Sequence, residues 1–144
     1  MRTAVDTSVL LDILADDKTH GDASADALHA AFQAGKIVAC DIVWAEVAAY
    51  FATQAELEAA LGRLHVVFDA LSLEAAGRAG QLWRESRKGS KKPRDRVVAD
   101  FLVGAHALSQ AEVLLTRDRG FYRRYFQGLK VIDPSQASPP PPQP

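Results

Sequence analysis

A single cysteine, Cys40, stands in 144 residues, so no internal disulfide can form and no thiolate cluster is available for zinc. A reducing, cytoplasmic compartment is the expected home. No apolar run approaches the length of a membrane span. The opening stretch Met1-Arg-Thr-Ala-Val-Asp6 meets an acid too early to hold the apolar core of a signal peptide. Excess charge of either sign is also missing. Seventeen basic residues against eighteen acidic ones give a formal net charge of −1, which argues against adhesion to nucleic acid by bulk positive charge. Proline is scarce in the body, where only Pro93 and Pro134 occur, and is concentrated in Pro139–Pro144, expected to form a solvated, extended tail outside the fold.

What remains is an ordinary globular composition, 48% hydrophobic and 24% charged, at a length that suits one domain. Short β-branched runs alternate with longer alanine-rich stretches of helical spacing, which predicts an α/β domain with a largely parallel sheet. Strands are expected at Thr3–Val5, Ile37–Cys40, Val66–Phe68, Val113–Leu115 and Lys130–Ile132. Helices are expected at Ser8–Leu14, Asp22–Ala34, Ile42–Phe51, Gln54–Leu64, Leu73–Arg87, Arg96–Gln110 and Asp118–Phe126, with Asp41 capping the third and Ser72 the fifth.

The placement of certain acids carries the functional information. Asp6 directly follows the first strand, where open parallel sheets bind ligands, though it could equally cap the helix that follows. Glu46 falls among Ile42, Val43, Val47, Tyr50 and Phe51, an apolar stripe on which a carboxylate is costly without an arginine or a metal beside it. Asp100 lies beside Phe101 at the edge of another apolar face. One turn on, Gly104 lacks the side chain that would keep a neighbouring element away. Asp118 follows the fourth strand through Thr116-Arg117, and its local reading is a helix cap. Together, two acids past strand ends and two on inward helix faces can converge on one rim of a doubly wound sheet. Such a group is reasonable only around a cation, and an all-oxygen donor set suits Mg²⁺ or Mn²⁺. These ions serve phosphoryl transfer by activating water and stabilising the leaving oxygen.

Four segments, Ala4-Val-Asp-Thr-Ser-Val-Leu10, Trp44-Ala-Glu-Val47, Ala99-Asp-Phe-Leu-Val-Gly-Ala-His-Ala107 and Leu114-Leu-Thr-Arg-Asp-Arg-Gly-Phe121, resemble in order and spacing the acidic motifs of PIN-domain proteins. Length makes the chain look like the VapC toxins of type II toxin–antitoxin systems. The resemblance runs over residues 1–133, leaving 134–144 as the proline-rich tail, expected to be disordered. It implies a three-layer α/β/α sandwich with a short, mainly parallel central sheet, and an endoribonuclease activity dependent on Mg²⁺ or Mn²⁺. It also implies that Asp6, Glu46, Asp100 and Asp118 hold the metal and carry catalysis, with Thr7, Ser8 and Thr116 orienting their carboxylates. Hydrolysis would proceed by in-line attack of water, leaving a 5′-phosphate and a 3′-hydroxyl. An RNA substrate such as tRNA or rRNA, a VapB-type antitoxin and a homodimer are the implied partners, with the groove for the antitoxin placed between Ser8–Leu14 and Ile42–Leu64. A non-catalytic PIN-like module that binds RNA or protein is the alternative. A phosphoacceptor receiver domain is excluded, because Asp6 lacks an acidic neighbour and the Leu114–Phe121 segment lacks a lysine.

An acidic site repels RNA, so affinity must come from nearby cations. Arg84, Arg87, Lys88, Lys91, Lys92, Arg94 and Arg96 form a dense basic segment before Asp100, and Arg117, Arg119, Arg123 and Arg124 flank Asp118. Of these, Arg87, Lys88, Lys91, Lys92, Arg94, Arg96 and Arg117 are the expected phosphate contacts. Asp95 is read as a helix cap, His106 as a packed histidine, Trp44 and Tyr50 as packing residues, and the aromatics around Phe121–Phe126 as largely core.

Overall fold

The computed structural model describes residues 1–88 and 98–136. Their order is β1 (Arg2–Val5), α1 (Thr7–Leu14), α2 (Gly21–Ala34), β2 (Lys36–Ala39), α3 (Asp41–Ala48), α4 (Gln54–Arg63), β3 (Val66–Phe68), α5 (Leu73–Arg87), α6 (Val98–Gln110), β4 (Val113–Leu115), α7 (Arg119–Tyr125) and β5 (Lys130–Ile132). The strands form one parallel sheet in the order β3-β2-β1-β4-β5. Central strands β1 and β4 are covered on both faces, which is why Ala4, Val5, Val113, Leu114 and Leu115 run apolar without alternation. Right-handed crossovers place α1–α4 on one face of this sheet and α5–α7 on the other, giving the three-layer sandwich. The terminal stretch 137–144 and the basic stretch 89–97 lie outside the described residues.

Local chemistry sets the element ends. Thr53 accepts from the Glu56 amide at 3.2 Å and Ser72 from the Ala75 amide at 3.0 Å, so α4 and α5 begin at side-chain caps. Asp41 does not cap α3: it lies in the first turn after Cys40, and its carboxylate accepts from the Leu71 amide at 3.3 Å instead. Gly35 ends α2 because its backbone passes against Met1, whose carbonyl accepts from the Lys36 amide at 2.8 Å; a Cβ at this position would collide with that carbonyl. Gly104 behaves as its spacing suggested. A Cβ there would strike the ring of Phe126, so the missing side chain lets α7 close on α6. Phe101, Phe121, Tyr125 and Phe126 fill that seam, with Phe101 and Phe121 edge to face at 5.1 Å.

The strand order decides where a ligand can bind. From β1 the chain moves outward through β2 to β3, then returns to β4 on the other side of β1. The connections leaving β1 and β4 therefore diverge and open a crevice at the carboxyl ends of those two strands. Residues 6–8 and 116–118 form its walls.

Candidate active site

Asp6 stands at the mouth of this crevice. Its amide donates to the Leu115 carbonyl at 3.0 Å, which ties the ends of β1 and β4 together. Its side chain caps α1, Oδ1 accepting from the Thr7 amide at 2.8 Å, while Oδ2 accepts from Thr116 Oγ1 at 2.7 Å. Burial pushes this carboxyl up to about 6, and the Asp100 and Glu46 charges push in the same direction. The bonds from Thr116 and Thr7 oppose the shift without cancelling it.

Glu46 reaches the same rim from α3. Its Oε1 accepts from Thr7 Oγ1 at 2.8 Å. The expected apolar stripe around it is not formed, because α3 ends at Ala48 and leaves Tyr50 and Phe51 outside the helix. Only Val43 and Val47 of that helix are buried, Glu46 is exposed, and Tyr50, expected to pack, is 71% exposed. Glu46 therefore meets the rim as a surface carboxylate held by a threonine. Asp100, half-buried in the first turn of α6, approaches from the opposite layer near enough to raise the Asp6 carboxyl. Asp118 occupies the N-cap position of α7 without making a side-chain cap bond, so the local capping role does not account for it. Its amide donates to Thr116 Oγ1 at 3.0 Å. Thr116 is fully buried and relays between the two acids, donating to one and accepting from the other's backbone.

Ser8 departs from expectation. Its buried Oγ, among the described residues, has no hydrogen-bond partner and orients no carboxylate. Among the described residues, no three His, Cys, Asp or Glu side chains lie close enough to grip an ion as they stand. The donor chemistry nonetheless fits a hard divalent cation. The side chains facing one another are carboxylates and hydroxyls, and Asp6 resists ionisation chiefly through burial, with the Asp100 and Glu46 charges adding to it.

The expected phosphate contacts divide three ways. Arg87 and Lys88 are exposed at the end of α5, Arg87 lying over the Trp83 ring at 5.0 Å and Lys88 pairing with Glu85 at 3.0 Å. Lys91, Lys92, Arg94 and Arg96, with Asp95, lie outside the described residues. Arg117 is paired, Asp12 taking its Nε at 2.7 Å and its Nη2 at 3.0 Å, and its side chain is 30% exposed. Sequence reasoning missed Asp12, a 5%-exposed carboxylate that also accepts from Ser24 Oγ at 2.9 Å. An acid set between Leu11 and Ile13 in so short a helix was the available signal. His106 is buried and bonded to Asp69 Oδ2 at 2.8 Å, a structural contact. Trp44 is half-buried and packs edge to face on Phe68.

The family model for the PIN domain matches residues 3–127. No curated protein sequence matches the chain. Among solved structures, VapBC2 from Rickettsia felis bound to a promoter DNA fragment is similar at a TM-score of 0.69 and 17% identity, over 92% of this chain and 98% of that one. VapBC-1 from nontypeable Haemophilus influenzae gives 0.68 and 18%, over 94% and 100%. VapC20 from Mycobacterium tuberculosis, a sarcin-ricin-loop-cleaving toxin, gives 0.52 and 14%, over 78% and 86%. No helix among the described residues is long and apolar enough to cross a membrane. With its sheet order, its rim of acids and a family match over most of its length, the chain belongs to the PIN-domain family.

Proposed function

We propose that the protein is a divalent-metal-dependent endoribonuclease, the toxin of a VapBC-type pair. The observation that carries this reading is geometric: Thr7 ties Glu46 beside Asp6, and Thr116 ties Asp6 to the Asp118 backbone, at the carboxyl ends of β1 and β4. The Asp6 carboxyl sits at the switch point of the sheet, is held by Thr116, and is pushed up to about 6 by burial and by Asp100 and Glu46. Crowded carboxylates in a desolvated crevice are reasonable where a cation repays their repulsion. Asp6, Glu46, Asp100 and Asp118 would hold Mg²⁺ or Mn²⁺. When bound, such an ion activates water and neutralises charge developing on a phosphodiester.

The protein's own groups prepare the site. Thr116 holds Asp6 Oδ2 and the Asp118 backbone, while Thr7 holds Glu46. The sequence segment that holds Arg87, Lys88, Lys91, Lys92, Arg94 and Arg96 carries the positive charge that binding an RNA backbone requires. The solved structures similar in fold are toxin–antitoxin complexes and a toxin that cleaves ribosomal RNA. They support an antitoxin partner and an RNA substrate; tRNA or rRNA as the substrate class, a second copy of the chain as a further partner and the cytoplasm as the location are added as part of the same proposal.

One observation favours a second reading, a non-catalytic PIN-like module. The described acids are not gathered into a ready cage. Incubating varied RNAs with the protein and Mg²⁺ or Mn²⁺ separates the two, with Asp6→Asn and Asp100→Asn alongside. Cleavage by the wild type that both variants lose supports the nuclease. Equal cleavage by all three sinks the proposed site, and no cleavage by the wild type on any RNA favours the binding module.

A further inference from the structure

The Asp12–Arg117 pair has no part in the chemistry proposed above, yet it is tied to the residues that do. Asp12 is nearly buried in α1, and its carboxylate accepts twice from Arg117 and once from Ser24 in α2. Two parallel N–H···O bonds fix the orientation of a guanidinium as well as its distance. A carboxylate this deeply set is costly once its partner is gone, so the contact persists in the folded protein.

The residues on either side of Arg117 belong to the rim. Thr116 Oγ1 donates to Asp6 Oδ2 at 2.7 Å, and the Asp118 amide donates back to Thr116 Oγ1 at 3.0 Å. Asp6 caps α1 and Asp12 lies within it, about 9 Å further along the helix axis. The segment Thr116–Asp118 is therefore held at two separated points of a single helix, by its threonine at the start and by its arginine more than a turn on. Thr116 is held by its hydroxyl and by its amide, which donates to the Ile132 carbonyl at 3.0 Å, so the strand end is fixed while the residues beyond it can still pivot about that point. The second attachment removes the pivot and sets the direction in which Asp118 leaves the strand.

We infer that Asp12 and Arg117 are positioning residues, a two-point clamp with Asp6 and Thr116 that delivers Asp118 to the acidic rim. Its purpose rests on the nuclease reading, whereas the order it imposes on residues 116–118 does not. Arg117 thus acts through its neighbours and not on RNA.

The test uses the full chain in four forms: wild type, Arg117→Lys, the charge-neutral double variant Asp12→Asn/Arg117→Gln, and Ser24→Ala. Ser24→Ala removes a bond from Asp12 while leaving the arginine in place. The first readout is amide exchange at Asp118 in metal-free buffer. The double variant is expected to raise that rate at least about tenfold over the amides of β1, with Arg117→Lys intermediate and Ser24→Ala at the wild-type value. The second readout is Mn²⁺ affinity, expected to fall about tenfold in the double variant and to stay unchanged in Ser24→Ala. Unchanged Asp118 exchange in the double variant overturns the inference. So does an equal rise in Ser24→Ala, which would mark general loosening. If the wild type cleaves no RNA, the nuclease reading fails while the exchange data still decide the clamp.

Discussion

Replacing Asp6 by asparagine should make the fold less sensitive to rising pH, and the size of the change follows from the structure. Asp6 is harder to ionise in the folded protein than in the unfolded chain, at about 6 against the ordinary 3.8. Between these values the folded state holds more protons than the unfolded one, so stability falls as pH rises through the window. Below it both states are protonated and the group contributes no difference. Above it both are ionised and the loss is complete. At about 1.4 kcal/mol for each pH unit, the full displacement is worth about 3 kcal/mol. Water still reaches part of the Asp6 side chain, so we expect between about 1 and 3 kcal/mol. Urea denaturation in chelator at a series of pH values from about 4 to about 7 measures it. The quantity to follow is the stability of Asp6→Asn minus that of the wild type, because the other titrating groups cancel in the difference. It should climb by that amount across the window and level off above it. A difference that stays flat, or one that climbs only below the ordinary aspartate range, refutes the account of Asp6 as a desolvated carboxyl crowded by Asp100 and Glu46.

Three further outcomes are expected. Thr116→Val keeps the side-chain shape but removes the donor to Asp6 Oδ2, a bond that lowers the carboxyl. An NMR titration should then place Asp6 above its wild-type value, and a value at or below it would contradict the assignment. Gly104→Ala forces a methyl into the Phe126 ring and should cost about 1–3 kcal/mol from overpacking, partly offset by about 1 kcal/mol of helix propensity. A lowered midpoint in thermal denaturation checks it. Arg87→Gln and Lys88→Gln should each reduce the slope of log affinity against log salt for single-stranded RNA by about 0.7, while Arg117→Lys should leave that slope unchanged.

The layout of this domain could be read from the chain because its signals are local. Strands announce themselves as short β-branched runs, and β3, β4 and β5 fall at the expected residues, although only β4 of the three is buried along its length. The Ser72 cap and the close approach at Gly104 were also legible, since each depends on a residue type with one dominant physical use. Asp6 and Asp118 stood out by following strands. Glu46 was singled out by a helical stripe that the chain does not form, because periodicity cannot show that α3 stops at Ala48. Asp12 escaped notice because its partners, Ser24 and Arg117, come from other elements. The Arg117 partner was hidden for the same reason: pairing across the fold has no sequence period. The silent Ser8 hydroxyl likewise depends on its tertiary surroundings.

The central claim is that Asp6, Glu46, Asp100 and Asp118 form one cation site. Mn²⁺ binding to the full chain, followed by electron paramagnetic resonance, tests it without requiring the right RNA. Asp6→Asn, Glu46→Gln, Asp100→Asn and Asp118→Asn should each weaken binding at least about tenfold, as loss of a carboxylate ligand implies. Asp41→Asn, whose carboxylate serves the Leu71 amide, should bind as the wild type does. Wild-type affinity in all four rim variants would contradict the account.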